Sequence, residues 1–368
     1  MSNKLVVLVT GGLGFIGKSC VPKLLDAGCY VHIIDSVNND VHPKNVNTDF
    51  VREQLGNQGE VHIGRIGQQE CVLRNLDDID VILHLAARVS VKASMSQPAL
   101  YYDYNVMDTM RLCHYFSYKQ KLPRIVLASS RAVYGEGAYK CLNNHYIKNN
   151  NSYYRLSDDL DKLQWDIHCS ICGDPMEPQA TSEDFLVIPC SVYGETKLIQ
   201  EHLLSVATAR YGSELIIFRF QNVCGAENIR KDVGIVNTFC RKILSGNTIH
   251  LFEDGVQSRD FIFVDDVADI LVDSVTGKLS QNGNNRKVLN VGTGIRTSLL
   301  EIIQIIESIT KIDAKYKVNS SYRMGDVRHI CADVSRLREI IHWDPLPIGD
   351  VIRLILQKLR LQTGEFSG

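Results

Sequence analysis

The sequence predicts an α/β chain, with a doubly wound parallel sheet followed by a smaller C-terminal α/β lobe. Three observations carry that expectation. Short apolar runs alternate with longer amphipathic segments through the first half of the chain. A glycine-rich turn, Gly11-Gly12-Leu13-Gly14-Phe15-Ile16-Gly17, directly follows the apolar run 5–9. The next apolar run, 30–34, ends on Asp35.

Strand, glycine turn, helix, strand and acid make up the order that a dinucleotide requires. Gly11 permits the tight turn, Gly14 lets backbone approach a pyrophosphate, and Gly17 lets helix pack on strand. The helix that opens with Phe15 and Ile16 points its unpaired N–H groups at the phosphates. Pro22 falls inside this helix and predicts a kink near the second turn. Asp35 lies 24 residues after Gly11. A carboxylate there accepts both hydroxyls of an adenosine ribose and repels a 2′-phosphate, which favours NAD over NADP.

With 368 residues the chain can bury a large core and is expected to form two lobes. Its 45% apolar and 22% charged content is ordinary for a soluble globular protein. A net charge of −2 speaks against nucleic acid or an anionic membrane as partner. Neither a signal peptide nor a membrane span is expected. The eleven cysteines fall mostly inside apolar patterns, which suits reduced thiols and a cytoplasmic location.

Further strands are expected at 81–85, 124–128 and 215–218, and helices at 98–118 and 193–211. The stretch from about 136 to 190 breaks this rhythm. It is polar and carries Cys141, His145, Cys169 and Cys172, so it reads as an insertion on the ligand-binding side of the sheet. Residues 281–286 read as a polar surface loop. The expected domains are 1–223, dinucleotide-binding with the insertion, and 224–368, a substrate lobe.

Tyr193 and Lys197 stand four apart at the start of a helix, on one face. A free tyrosine has a pKa near ~10, so only about one in a thousand is phenolate at neutral pH. An adjacent ammonium favours the phenolate, which can then take a proton from a sugar hydroxyl. Lys197 can also hold a nicotinamide ribose. Ser129 and Ser130 end the strand 124–128, at the carboxyl edge where such sheets bind ligands.

At these residues the chain resembles the extended short-chain dehydrogenase/reductase family, the NAD-dependent epimerases and dehydratases. The resemblance covers nearly the whole chain and implies a Rossmann-type fold. It makes Ser130, two residues before Ala132-Val133-Tyr134, the catalytic hydroxyl beside Tyr193 and Lys197. It implies cofactor contacts from Ala86 and Asn105. It also implies that Asn222 and Arg259 bind the substrate diphosphate, with Arg323 a second phosphate ligand and Asp326 a nucleotide-ribose ligand. Two positions depart from the family pattern. Arg65 stands where many relatives have an Asp that binds the adenine amine, so adenine must be held otherwise, for example with Arg65 stacked on the ring. Cys224 replaces a Tyr in the substrate pocket wall.

Sugar 4,6-dehydratases of this family carry an Asp-Glu pair after the catalytic hydroxyl, where this chain has Arg131 and Ala132. That leaves chemistry at one carbon. The leading expectation is nucleotide-sugar 4-epimerisation, with hydride removed and returned at sugar carbon 4 through a 4-keto intermediate. The alternatives are an NAD(P)H-dependent 4-ketoreductase and, from another class, a non-catalytic dinucleotide-binding scaffold. The run 129–141 and Cys169-Ser170-Ile171-Cys172-Gly173 look like the subgroup of dTDP-L-rhamnose 4-epimerases, which implies a dTDP-6-deoxyhexose substrate.

Cys169-x-x-Cys172 has the spacing of a zinc knuckle, and Cys141-x-x-x-His145 supplies two more ligands. A structural zinc is expected there, although His168 or Cys190 could replace a member of the set. The helices 98–118 and 193–211 carry surplus apolar residues, Val106, Met110, Leu203 and Ala207 among them, and relatives pair these helices across a two-fold axis. A homodimer is therefore expected.

Overall fold

The computed structural model describes residues 4–38, 42, 48–76, 78–117, 121–145, 155–226, 234–279 and 285–363. The glycine turn sits in a seven-stranded parallel sheet. Its first five strands are Val6–Thr10 (β1), Tyr30–Asp35 (β2), Gly59–Ile63 (β3), Val81–His84 (β4) and Arg124–Ser130 (β5). Strands Leu215–Phe220 and Arg286–Val291 complete it, in the order Arg286–Val291, Leu215–Phe220, β5, β4, β1, β2, β3. β1 therefore has β2 on one side and β4 on the other, both parallel to it. This is the point at which strand order reverses, where such sheets bind ligands beyond the carboxyl ends of their strands. β4 and Leu215–Phe220 are buried along their whole length, as expected of parallel strands covered on both faces.

Several elements run further than the sequence suggested. The strand expected at 124–128 continues to Ser130, and the one at 215–218 continues to Phe220. The helix expected at 193–211 is Val192–Tyr211, with Ser191 accepting the Gly194 N–H at 3.1 Å as its cap. The helix Phe15–Asp26 continues through Pro22. The helix expected at 98–118 comprises Pro98–Tyr101, a π-helical segment Tyr102–Met107 and Asp108–Ser117. Tyr118 and residues 281–284 of the expected surface loop lie outside the described residues.

Two compact units emerge, and they interleave along the chain. The first comprises Met1–Ser130, Glu195–Arg219 and Val264–Leu289, and the second Arg131–Gly194, Phe220–Phe263 and Asn290–Gly368. The sequence reading drew one boundary, after residue 223. In the first unit Leu8, Ile34, Ile82, Ile125 and Ile217 are members of one buried cluster with Leu112 and Phe116. In the second unit helices Ile235–Leu244, Leu299–Thr310 and Ile348–Thr363 supply a separate core. Ser298 and Glu301 close a reciprocal capping box at the start of Leu299–Thr310. Short strand pairs then place single side chains: Asn222–Cys224 runs parallel to Phe261–Phe263, and Ser258–Arg259 antiparallel to Thr297–Ser298. Among the described residues no helix is long and apolar enough to cross a membrane.

Candidate active site

The glycine turn is held by backbone that leaves no room for side chains. Gly11 has a φ of 73°, and a Cβ there would lie 2.8 Å from the Ala86 nitrogen. Ala86, just past β4, therefore forms the opposite wall of the turn. A Cβ on Gly17 would lie 2.4 Å from the Gly12 carbonyl oxygen, so Gly17 packs the helix onto the turn itself. Gly12 is the glycine that meets the strands, at Val9 and Ile33. Gly14 precedes the helix Phe15–Asp26 without a side-chain cap, so the first-turn N–H groups face outward for an anion.

Asp35 ends β2 and is buried. Its Oδ2 accepts the Leu13 N–H at 3.0 Å, and its Oδ1 accepts the Val37 N–H at 2.9 Å. The carboxylate thus anchors the glycine turn. His42 Nε2 lies 3.2 Å from Oδ1, a neighbour the sequence reading missed. Beside the end of β2 a cavity of about 380 Å³ is lined by Ser36, Asn38, Gly64, Arg65, Gln68 and Tyr104. Arg65 does not swing freely there. Its Nε and Nη1 donate to Asp108 and Asp103, both at 2.6 Å, and its guanidinium covers the Tyr104 ring at 4.1 Å.

The helix Val192–Tyr211 presents buried polar side chains to the first unit, and each is bonded. Asn105, in the π-helical segment, accepts the Arg88 N–H at 2.8 Å and donates to the Arg88 carbonyl at 3.2 Å and Thr196 Oγ1 at 3.0 Å. It is a bracket that holds the residue next to Lys197. Lys197 Nζ donates to Gln200 Oε1 at 2.5 Å. Gln200 Nε2 donates to Thr109 Oγ1 at 2.7 Å and lies 3.2 Å from His84 Nε2. Burial pulls the Lys197 ammonium down to about 7, against the opposing pull of Glu201. Burial, with Lys197 second, pulls His84 down to about 3, so its ring is neutral at physiological pH. Ser129 donates to Glu201 Oε1 at 2.5 Å, and Glu201 also pairs with the buried Arg219 at 2.8 Å. The Ser129 hydroxyl is therefore committed to structure.

In the second unit Tyr193 occupies the first turn of the same helix, partly exposed. A Cβ on Gly194 would lie 2.4 Å from the Ala132 carbonyl oxygen, so glycine lets this turn close on the residues that follow Ser130. Arg131, considered in the sequence only as a missing acid, donates from Nε to Asn222 Oδ1 at 2.8 Å. Burial first and Arg259 second pull Arg131 down to about 10, while Asp326 and Tyr193 oppose them. Arg131, Asn222, Arg259 and Asp326 thus form one electrostatic group. Arg259 donates to the carbonyls of Val327 at 2.6 Å and Arg328 at 3.0 Å. Arg323 sits outside this group, exposed, with its guanidinium 3.9 Å over the Phe252 ring. Cys224 belongs to the buried apolar core of this unit.

The four expected metal ligands come together. Cys141 Sγ lies 3.5 Å from His145 Nδ1 and 3.6 Å from Cys172 Sγ, and Cys169 Sγ lies 3.8 Å from His145 Nδ1. All four ligand atoms lie within 4.8 Å of one another. His168 and Cys190 stand apart: His168 bridges to Pro175, and Cys190 Sγ lies 3.5 Å from the Gly325 carbonyl.

Comparison with known proteins identifies the family. Residues 7–157 and 169–292 match the NAD dependent epimerase/dehydratase family. A dTDP-L-rhamnose 4-epimerase of Burkholderia thailandensis is 30% identical, over 96% of this chain and 95% of its own. A UDP-glucose 4-epimerase of Mycolicibacterium smegmatis is 27% identical, over 92% and 93%. The crystal structure of a UDP-glucuronic acid 4-epimerase from Bacillus cereus, in complex with UDP-glucuronic acid and NAD, superposes with a TM-score of 0.76. It is 25% identical and covers 97% of this chain and 100% of its own. The chain belongs to the NAD dependent epimerase/dehydratase family. It is an NAD-dependent enzyme of that family.

Replacing Asp35 tests the ribose assignment. Asp35→Ala should weaken NAD by about tenfold to a hundredfold, the worth of charge-assisted hydrogen bonds. It should also narrow the preference for NAD over NADP in a binding titration. A native protein that binds NADP more tightly than NAD would overturn this role of Asp35.

Proposed function

We propose that this protein is a nucleotide-sugar 4-epimerase acting on a dTDP-6-deoxyhexose such as dTDP-L-rhamnose. One observation carries the reaction type. The residues after Ser130 hold no carboxylate placed for elimination of water: Arg131 is bonded to Asn222, and Ala132 abuts Gly194. The next acid in sequence, Glu136, is buried and committed to Arg155 at 2.9 Å and to the Arg328 N–H at 2.6 Å. The deoxythymidine diphosphate and the 6-deoxy sugar rest on the Burkholderia thailandensis relative.

Bound NAD would supply the acceptor for hydride from sugar carbon 4 and the donor for its return to the opposite face. The phosphates belong at Gly11, Gly14 and the first turn from Phe15 to Gly17, the adenosine ribose at Asp35, and the nicotinamide ribose at Lys197. Ala86 walls the turn, and Asn105 holds Lys197 in place through Thr196. Tyr193 takes the proton of the 4-hydroxyl in the first half and returns it in the second, with Ser130 bonded to the same oxygen. Asn222, Arg259, Arg323 and Asp326 bind the nucleoside diphosphate. We add Arg131 to this set, because an anion beside Arg131 and Arg259 relieves the repulsion between them.

Tyr193→Phe should leave NAD binding unchanged and slow turnover by about 10²–10⁴-fold, the range for a lost acid–base group. Ser130→Ala should cost less. The assay follows product stereochemistry on dTDP- and UDP-sugars, with and without added cofactor. Near-normal turnover by Tyr193→Phe would overturn the mechanism, and a stoichiometric demand for added NADPH would favour the ketoreductase.

The same reading includes a homodimer and a cytoplasmic location. Met107 and Met110 are 40% and 44% exposed on the segment 98–117, and Val206 is 74% exposed on Val192–Tyr211. Val106, by contrast, packs inward. A second copy of the chain would cover the exposed set. Sedimentation at micromolar concentration should give a dimer that Val206→Glu weakens, and a monomeric mass for the native chain would reject it. The free cysteines among the described residues suit a reducing compartment.

Finally, Cys141, His145, Cys169 and Cys172 are assigned a structural zinc. Tetrahedral zinc with bonds of about 2.3 Å to sulfur and 2.0 Å to nitrogen requires S···S edges near ~3.8 Å and S···N edges near ~3.5 Å. Three edges of this cluster, at 3.5, 3.6 and 3.8 Å, lie close to those values, and all four atoms lie within 4.8 Å of one another. Elemental analysis of protein purified without added metal should find about one zinc per chain. Less than about a tenth of an equivalent would reject the site.

A further inference from the structure

The cluster has neighbours that do not serve the metal. Tyr139, two residues before Cys141, has its hydroxyl 3.2 Å from the His329 nitrogen and accepts that N–H. Asp166, three residues before Cys169, accepts Arg328 Nε at 2.8 Å. Two more insertion residues grip the same loop. Glu136 accepts the Arg328 N–H at 2.6 Å, and Arg155 donates to the Asp326 carbonyl at 2.6 Å. Residues 326–329 are thus held on the insertion side by Glu136, Tyr139, Arg155 and Asp166. On the other side their carbonyls hold Arg259, through Val327 and Arg328.

The insertion has little apolar packing with which to hold those four residues, of which Tyr139 rests on its small apolar cluster. Its buried apolar cluster is Cys141, Ile167, Cys169 and Met176, and two of those are metal ligands. The local backbone is organised around the sulfurs. The Gly173 N–H donates to the Cys169 carbonyl at 2.8 Å, the Ile171 N–H to Cys169 Sγ at 3.5 Å, and the Asn144 N–H to the Cys141 carbonyl at 3.0 Å. The antiparallel pair Tyr139–Lys140 with Glu177–Pro178 closes the hairpin beside the cluster. A metal joining Cys141 to Cys169 and Cys172 fixes Tyr139 relative to Asp166. Those are the two contacts that straddle Arg328 and His329.

We propose that the Cys₃His cluster is a brace for the loop 326–329, so that zinc supports binding of the nucleoside diphosphate through Arg259 and Asp326. This inference rests on the zinc and nucleotide-sugar readings above, and it adds a role to a metal that touches neither substrate nor cofactor. The dependence it predicts is selective. NAD is assigned to the glycine turn and Asp35, which are not part of the insertion.

The test measures zinc content, affinity for dTDP and UDP by calorimetry, and affinity for NAD, all on the full chain. The native protein should carry zinc and bind at least one of the two nucleotides. Chelation should weaken that binding by about tenfold or more, zinc should restore it, and NAD affinity should stay within about twofold. Cys172→Ser should reproduce the chelated state. Asp166→Ala should retain zinc and still lose nucleotide affinity, which keeps the test decisive should Cys172→Ser fail to fold. Zinc that is present and removable with no change in dTDP or UDP affinity would overturn the brace and leave the metal site standing. Native protein without zinc would overturn the metal reading and the brace together. Native protein with zinc that binds neither nucleotide would overturn the nucleotide-sugar reading, and the brace with it.

Discussion

The helix Val192–Tyr211 buries Thr196, Lys197, Gln200 and Glu201, and a buried polar group without a partner costs about 1–3 kcal/mol or more. Every one of them is matched, Lys197 by Gln200 of the same helix and the others by separate parts of the chain. Asn105 meets Thr196, Thr109 meets Gln200, and Ser129 and Arg219 meet Glu201. Only one rotation and register of the helix satisfies all of these at once. That rotation sets where Lys197 points. Removing one partner of the Glu201–Arg219 pair would leave a buried charge unmatched, a loss of about 3–5 kcal/mol in such pairs. The helix is thus oriented by polar bonds in its N-terminal half together with apolar residues such as Leu204 further along.

A second constraint acts on the residues proposed to bind the substrate. Arg131, Asn222, Arg259 and Asp326 come from four separate segments, and backbone rather than apolar packing locates them. Two-stranded ladders of two or three residues place Asn222 and Arg259, and carbonyls of the loop after Asp326 hold the Arg259 guanidinium. Around that loop Glu136, Arg155, Glu253, Asp254, Asp166 and Arg328 form a network of buried and half-buried ion pairs. Such networks add little net stability over an apolar core, but breaking one member is costly. Their use here is to give the loop a single conformation. In the insertion the Cys/His cluster stands where a larger apolar core would otherwise be needed.

Much of the fold, and the local motifs proposed for the site, were legible in the residues. Gly11, Gly14, Gly17 and Asp35 act locally, within one strand–turn–helix–strand unit, so spacing alone reveals them. Tyr193 and Lys197 share one helical face, and Cys169 and Cys172 share one knuckle, for the same reason. The limits are equally physical. The glycine that packs on the strands is Gly12, because the helix at Gly17 closes on the turn first. Val106 faces inward where the sequence suggested a surplus apolar face, because the helix around it winds as a π-helix and shifts its phase.

The sequence by itself determined the parallel sheet, the dinucleotide turn, the Tyr-Lys helix and the identity of the Cys/His set, since each is written in residues close together in the chain. Tertiary structure decided that Ser129 serves Glu201, that Arg131 serves Asn222, that Arg65 is fixed on Tyr104 by two carboxylates, and that Arg155 holds the loop after Asp326. Those choices depend on partners from 38 to 171 residues away. Polar side chains have no periodicity that announces such partners. Their bonding is settled only when burial removes water and leaves the nearest matching group as the alternative.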